Sequence, residues 1–359
     1  MNIENTRQHR FGRVAPVLIA LGIACLFALA LRAALKDDDD NSSQTLLNRE
    51  TTQAAIDDFW DVYHGNRYQD ISAVQQRLQA AIQKDPATPT LHALLGATHF
   101  WHAGEIARDP KPDLSVLQQD MPLAVASFRE ALDLDYGPHP IQYINDDHLP
   151  GYLGITTVHL GQFVNDQALL AKGDQLLDYA AYQFPEFNNF NRWAAHNTDS
   201  KDSESYKRAL DSLWTSLDSC VGTTVDRSNP DLAPYLNLVT AKGRKRVCWW
   251  DGVMAPYSYE GIMLNLGNGL VKAGQIDAAR VVFANARYAP NYSTWPYRQE
   301  FEAIAGSDLY ARAALYADGN LSNDPPLGIP NRGCSYCHAI VPEGGNTGDI
   351  SKLVHSPMQ

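Results

Sequence analysis

A chain of 359 residues with 45% hydrophobic residues is long enough for one large domain or two ordinary ones, with a sizeable core. Its formal net charge of −12 argues against nucleic-acid binding, because contacts with phosphates need a surface rich in Lys and Arg.

The N-terminal segment has the composition of a membrane anchor. Val14 to Leu31 is a run of 18 uncharged residues, about 27 Å as a helix, with three arginines before it. We expect a cytoplasmic N-terminus at 1–13 and a transmembrane helix at 14–36. A cleaved signal peptide, with Ala28-Leu29-Ala30 before the cleavage point, is the alternative.

The positive-inside rule places the rest of the chain outside the cytoplasm, which in a bacterium is the periplasm. Residues 37–44, which include four consecutive aspartates, are expected to form a polar linker to a single-pass inner-membrane anchor. Because that compartment permits disulfides, Cys220 and Cys248 are candidates for a disulfide pair.

Most of the remaining chain shows helical periodicity, which predicts an all-α fold. The clearest stretch, Gly261 to Asn291, has Leu266-Gly267 in a first helix, a turn at Gly274, and Ala279, Phe283 and Ala286 on one face of a second helix. The small residues let the two helices approach, and the Phe fills the groove between them.

This pattern resembles the tetratricopeptide repeat, and similar patterns recur upstream. The further copies involve Val74, Leu78 and Ala81; Leu95-Gly96 with Ala124, Phe128 and Ala131; and Leu153-Gly154 with Gly173, Leu177 and Ala180. The resemblance implies a right-handed stack of antiparallel helical hairpins, a tetratricopeptide-like solenoid, over residues 45–187, with a last hairpin and a following helix at 261–316.

Between them, residues 188–260 are rich in aromatic residues and are expected to combine helices with long loops. Trp249, Trp250, Tyr257 and Tyr259 belong to this region. The aromatic side chains either pack under the loops or form a wall facing a ligand, and we favour packing.

The C-terminal region, 317–359, carries the strongest chemical signal. After a Gly/Pro-rich segment, Ala317 to Gly333, which we expect to be a flexible linker that lets the tail swing, comes Cys334-Ser335-Tyr336-Cys337-His338. The C-x-x-C-H pattern resembles the haem-attachment motif of c-type cytochromes. It implies one covalent haem c, with Cys334 and Cys337 as thioether anchors and His338 as the proximal iron ligand.

Other uses of the motif remain open. A zinc site would draw on Cys334, Cys337 and His355, with His338 as a fourth ligand only in an awkward local geometry. A structural or redox-active disulfide would use the two cysteines alone. The distal haem ligand is also open, with Met358 and His355 nearest in sequence. Six histidines further upstream are weaker candidates: His92, His99, His102, His139, His148 and His159.

No nucleotide-binding loop, hydrolase or metalloprotease pattern is present in the sequence. We therefore expect an electron carrier rather than a catalyst: a membrane-anchored periplasmic haem protein that transfers one electron at a time and docks a protein partner through its helical body. A periplasmic scaffold without a redox role is the main alternative. An enzyme with an open haem site near Trp249 and Trp250 is a third.

Overall fold

The computed structural model describes residues 48–107, 111–135, 146–238, 245, 248–249, 254–320, 323–328 and 335–341. The chain divides after Thr51, and the helical body belongs to the unit that begins at Thr52. The described residues contain helices and no strands, so the all-α expectation is confirmed. The expected anchor at 14–36 lies outside them, and none of the helices that are described is long and apolar enough to cross a membrane.

Thirteen α-helices are described in the structure. They are α1 (48–64), α2 (Ile71–Lys84), α3 (Pro89–Ala107), α4 (Leu114–Leu134), α5 (Leu149–Val164), α6 (Gln167–Gln183), α7 (Pro185–His196), α8 (Glu204–Val221), α9 (Ser258–Lys272), α10 (Ile276–Asn285), α11 (Arg298–Ala305), α12 (Leu309–Ala317) and the short α13 (Ser335–His338).

Local sequence signals set several helix ends. Asp113, Asp166 and Asp308 cap α4, α6 and α12 by accepting hydrogen bonds from first-turn amides. Gly222 ends α8 with φ +76°, a left-handed conformation that glycine adopts without steric cost. Gly274 has φ +79° and forms the turn expected between α9 and α10.

Consecutive helices pack in pairs: α3 with α4, α5 with α6, α7 with α8, and α9 with α10. In three of these pairs, a large side chain of the second helix packs directly against a glycine of the first helix. A Cβ at Gly96 would meet the Phe128 ring at 3.0 Å, and one at Gly154 would meet Leu177 at 2.9 Å. A Cβ at Gly267 would lie well inside van der Waals contact with the Phe283 ring. The small-to-large contacts expected from the sequence are therefore present.

The aromatic-rich region begins with a helix pair. Helix α7 crosses the expected boundary at residue 188 and packs against α8. The structure joins Cys220 to Cys248 in a disulfide, with Cα atoms 6.2 Å apart. Trp249 is fully buried and stacks on Tyr259, so these two aromatics pack in the core, as we favoured; Trp250 lies outside the described residues.

The Gly/Pro-rich segment is held against the body where it is described. Backbone carbonyls of Pro325 and Leu327 accept hydrogen bonds from the Tyr316 hydroxyl at 2.8 Å and from Asn268 Nδ2 at 3.0 Å. This stretch differs from the flexible linker that its composition suggested. Composition reports only the intrinsic freedom of the backbone, and hydrogen bonds to side chains distant in sequence restrict it here.

A charged cluster stabilises the end of α7. His196 lies within hydrogen-bond distance of two carboxylates, with Nε2 at 2.7 Å from Asp174 and Nδ1 at 2.9 Å from Asp199. Burial alone would lower the pKa of His196, but the two carboxylates outweigh it and raise the pKa to about 9. Burial and the charge of His196 lower the pKa of nearby His159. Burial alone would raise the pKa of Asp199, but His196 and Lys272 help to lower it. His196 is therefore doubly protonated at neutral pH.

Replacing His196 with Gln should therefore destabilise the protein in a pH-dependent way. The folded-state pKa is raised, so the stabilisation is full below pH 6.5 and disappears as the pH rises through about 9. We expect a loss of about 2–3 kcal/mol in unfolding free energy near pH 6 and almost none near pH 10. Denaturant unfolding between pH 6 and pH 10 measures this loss of stability. Asp174→Asn, which removes one of the two carboxylate partners of His196, is the matched variant. A loss that does not change with pH would contradict the assignment.

Replacing Gly267 with Ala should destabilise the pair α9 and α10. The new methyl group would overlap the Phe283 ring, which costs about 1–3 kcal/mol and outweighs the gain in helix propensity of about 1 kcal/mol or less. Gly96→Ala is the matched control and should cost less, because its contact with Phe128 is looser. Thermal unfolding measures both, and combining Gly267→Ala with Phe283→Leu should recover part of the loss. Equal effects at the two glycines would contradict this account.

Candidate functional site

The C-x-x-C-H motif lies against the helical body as the short helix α13. Its residues Ser335 and Tyr336 are buried, as is Ala339 just after it, whereas Cys337 and His338 keep part of their surface exposed. Cys334 and both nearby candidates for a distal ligand, His355 and Met358, lie outside the described residues. The motif therefore divides into residues that anchor it and residues that stay partly accessible.

Tyr336 fixes the motif through both of its oxygen atoms. Its backbone carbonyl accepts a hydrogen bond from Trp295 Nε1 at 2.8 Å, and its hydroxyl accepts one from Asn265 Nδ2 at 2.9 Å. Asn265 in turn accepts a hydrogen bond from Trp193 Nε1 at 2.9 Å. Since all of these atoms are buried, the network sets both the position and the orientation of α13.

Cys337 lies directly over Gly261, at the N-terminal end of α9. A Cβ at Gly261 would overlap the Cys337 sulfur, so only glycine leaves room for it there. The backbone carbonyl of Cys337 accepts a hydrogen bond from the Tyr257 amide at 3.1 Å, just before the same helix. The start of α9 and the residue that precedes it thus contact both the sulfur and the backbone of Cys337.

The imidazole of His338 is oriented by the backbone carbonyl of Met254, which lies 2.6 Å from Nδ1. Because a carbonyl oxygen only accepts, Nδ1 must carry the proton, and Nε2 keeps its lone pair in the neutral ring. Burial lowers the pKa of His338 to about 4, against the opposing effect of the Met254 bond and with a further lowering by His64. The ring lies 4.9 Å from that of Tyr63. A neutral imidazole with Nδ1–H on a carbonyl is the form that binds a metal through Nε2.

A second histidine, His64, approaches the same Met254 carbonyl, with Nε2 at 3.1 Å. Its backbone carbonyl accepts a hydrogen bond from the Ile340 amide at 3.0 Å, and its ring stacks on Trp60. His64 is buried, and its Nδ1 has no hydrogen-bond partner in the structure as described. The sequence did not mark His64 or Met254, since neither lies in a motif or near one along the chain.

The upstream histidines that are described have local partners. His99 and His102 direct their Nδ1 atoms at Asp120, at 2.8 and 2.5 Å. Burial alone would raise the pKa of Asp120, but these two bonds lower it to about 2. His159 pairs with Gln162, His92 with the Pro86 carbonyl, and His148 packs on Phe187. Each of these rings therefore has at least one partner within the body; His139 lies outside the described residues.

Glu260 is another group that sequence reasoning missed. It is fully buried on α9, and neither carboxyl oxygen has a hydrogen-bond partner in the part of the chain that is described. Burial raises its pKa to about 8, so it is protonated at neutral pH. One sequence signal could have indicated that Glu260 is buried: the apolar residues of α9 lie on every face of the helix, as in a helix enclosed by protein.

The described residues contain no group of three or more His, Cys, Asp or Glu side chains arranged to hold a metal ion. Two ligands of the alternative zinc site, Cys334 and His355, lie outside those residues. The donors that the structure does describe in the motif are the Cys337 sulfur and the His338 imidazole.

No family model, curated protein or solved structure matches this chain. The resemblances to tetratricopeptide repeats and to c-type cytochromes therefore rest on the sequence motifs alone.

Replacing Gly261 with Ala should displace α13, because the added methyl group and the Cys337 sulfur cannot occupy the same space. We expect faster hydrogen exchange at the amides of Ala339 and Ile340, which bond to the carbonyls of Ser335 and His64.

The matched control is Gly269→Ala, on the same helix, where a Cβ would meet Trp193 at 2.7 Å. It should lower the overall stability without selectively exposing Ala339 and Ile340. If Gly261→Ala leaves the exchange of these two amides unchanged, the proposed packing of Cys337 on α9 is wrong.

Proposed function

We propose that this protein is a membrane-anchored periplasmic c-type haem protein that transfers one electron at a time with a protein partner. The observation that carries the proposal is the orientation of His338, the last residue of the C-x-x-C-H motif. Its Nδ1–H donates a hydrogen bond to the backbone carbonyl of Met254. An iron-ligating imidazole needs this arrangement, which fixes the ring and raises the basicity of Nε2.

Cys334 and Cys337 would hold the porphyrin, and His338 Nε2 would be its proximal iron ligand. Each thiol would add across one vinyl group, forming a carbon–sulfur bond while its hydrogen goes to the other vinyl carbon, so no oxidant is needed. The bound group would supply a one-electron iron couple. We propose either His355 or Met358 as the distal iron ligand.

The body contributes the surroundings of the site. Side chains of the body pack beside His338, with the Tyr63 ring at 4.9 Å and Trp101 packed edge-on against Tyr63. Apolar walls of this kind exclude water and help to set a redox potential.

We further propose that the helix pairs form a tetratricopeptide-like right-handed stack that docks the redox or assembly partner. Support comes from the contacts of Gly96, Gly154 and Gly267 with large side chains, which recur in three of the four helix pairs. Such stacks offer an extended surface for another polypeptide. The same body would also serve the alternative, a periplasmic scaffold without haem.

Co-expression of the full chain with a cytochrome c maturation system tests the haem. We expect the denatured protein to give a band with a haem-dependent peroxidase stain on a gel, because thioether bonds survive denaturation. Replacing both Cys334 and Cys337 with Ala should abolish the stain. Ser335→Ala, between the two cysteines, is the matched control and should keep it.

An unstained wild-type band, in cells that mature another c-type cytochrome normally, would contradict the haem proposal. The scaffold alternative would then stand, and the metal content of the purified protein would distinguish zinc from a disulfide in the motif.

A further inference from the structure

We infer that His64 is a positioning residue for the haem site, and that it raises the redox potential by sharing the Met254 carbonyl with His338. This inference rests on the proposed function and adds a residue that no haem-attachment motif contains. The juxtaposition that carries it is one carbonyl oxygen facing two imidazole nitrogens, His338 Nδ1 at 2.6 Å and His64 Nε2 at 3.1 Å.

The chemistry of the acceptor fixes the proton positions on both rings. A backbone carbonyl has two lone pairs and no proton, so each nitrogen that approaches it must donate an N–H. His64 is therefore the Nε2–H tautomer, and its buried Nδ1 carries the lone pair that has no partner among the described residues. Protonation of Nδ1 is opposed by burial, which lowers the pKa of His64.

Two donors on one oxygen compete for its electron density. The longer bond from His64 draws charge from the Met254 oxygen, which makes that oxygen a weaker acceptor for His338 Nδ1–H. A weaker bond at Nδ1 leaves less negative charge on the imidazole, so Nε2 is a poorer electron donor. An iron ligand of lower basicity stabilises the oxidised metal less, which corresponds to a higher potential.

His64 is also held firmly enough to act in this way. Its ring is buried and stacked on Trp60, with centroids 5.2 Å apart, and its backbone carbonyl accepts the Ile340 amide hydrogen two residues beyond His338. The main chain of His64 therefore binds the motif from one side, while its side chain acts on the carbonyl that orients His338. A substitution of the side chain leaves the main-chain bond in place.

The test compares midpoint potentials of the full-length haem-loaded protein and its variants. His64→Phe keeps an aromatic ring against Trp60 but removes the donor. We expect a lower potential, by up to about tenfold in the one-electron equilibrium constant, or about 59 mV. His64→Gln, whose amide nitrogen can donate to the same carbonyl, should restore a potential near that of the wild type.

The matched control is Tyr288→Phe, which removes a different side-chain hydrogen-bond donor, the hydroxyl that donates to Asp231, and should leave the potential unchanged. An unchanged or raised potential in His64→Phe, with full haem content by stain, would overturn the inference and leave the haem proposal intact. An unstained wild-type protein would instead be a failure of the haem proposal.

A second measurement covers the case in which His64→Phe does not mature. Nitrogen-15 NMR of histidine-labelled wild-type protein reports which ring nitrogen of each histidine carries the proton. We expect the Nε2–H tautomer for His64, and observing Nδ1–H would overturn the shared hydrogen bond. The tautomer can be read with or without bound haem.

Discussion

Helix α9 is enclosed by protein along its whole length. The rest of the structure depends on the close packing of neighbouring side chains against this helix. Every residue from Ser258 to Lys272 is buried. Three glycines make this close packing feasible, because each admits a different neighbour: Gly261 the Cys337 sulfur, Gly267 the Phe283 ring, and Gly269 the Trp193 ring. One helix therefore connects the last helix pair, the aromatic-rich region and the C-terminal motif.

This central position explains how the candidate site is assembled. The site combines three stretches far apart in the chain, around His64, around Met254 to Gly261, and around Cys337 to Ile340. Loop closure over such distances has an entropic cost that the packed body must offset. The motif thus depends on the body for its geometry, even though the motif alone carries the chemical signal.

Local patterns predicted much of the fold. Helical periodicity gave the all-α class, and the spacing of Gly267 and Phe283 predicted a contact that the structure contains. The pairing of Cys220 with Cys248 followed from their number and the expected compartment. These features depend on neighbours along a helix or on simple counting, which is the information that a single sequence holds.

The parts that could not be predicted depend on contacts between distant residues. Nothing near His64 distinguishes it from a surface histidine, and Met254 acts through a backbone carbonyl that any residue would supply. The Gly/Pro-rich stretch looked flexible because its composition does not reveal that Tyr316 and Asn268 bind its carbonyls. Packing of this kind is decided by the tertiary fold, so the sequence marked the site's donors but not the groups that orient them.

A buried polar residue of α9, Asn265, explains why α13 takes one position against the body. Apolar packing alone would tolerate small shifts of α13, since its energy varies little with direction. Hydrogen bonds are directional, and Asn265 contacts Tyr336, Trp193 and the Gly261 carbonyl at once. Each bond adds only about 0.5–1.5 kcal/mol, but displacing Tyr336 would leave buried polar groups unsatisfied. The network therefore penalises alternative positions of the motif more than it stabilises the fold, and it is this penalty that keeps His338 facing the Met254 carbonyl.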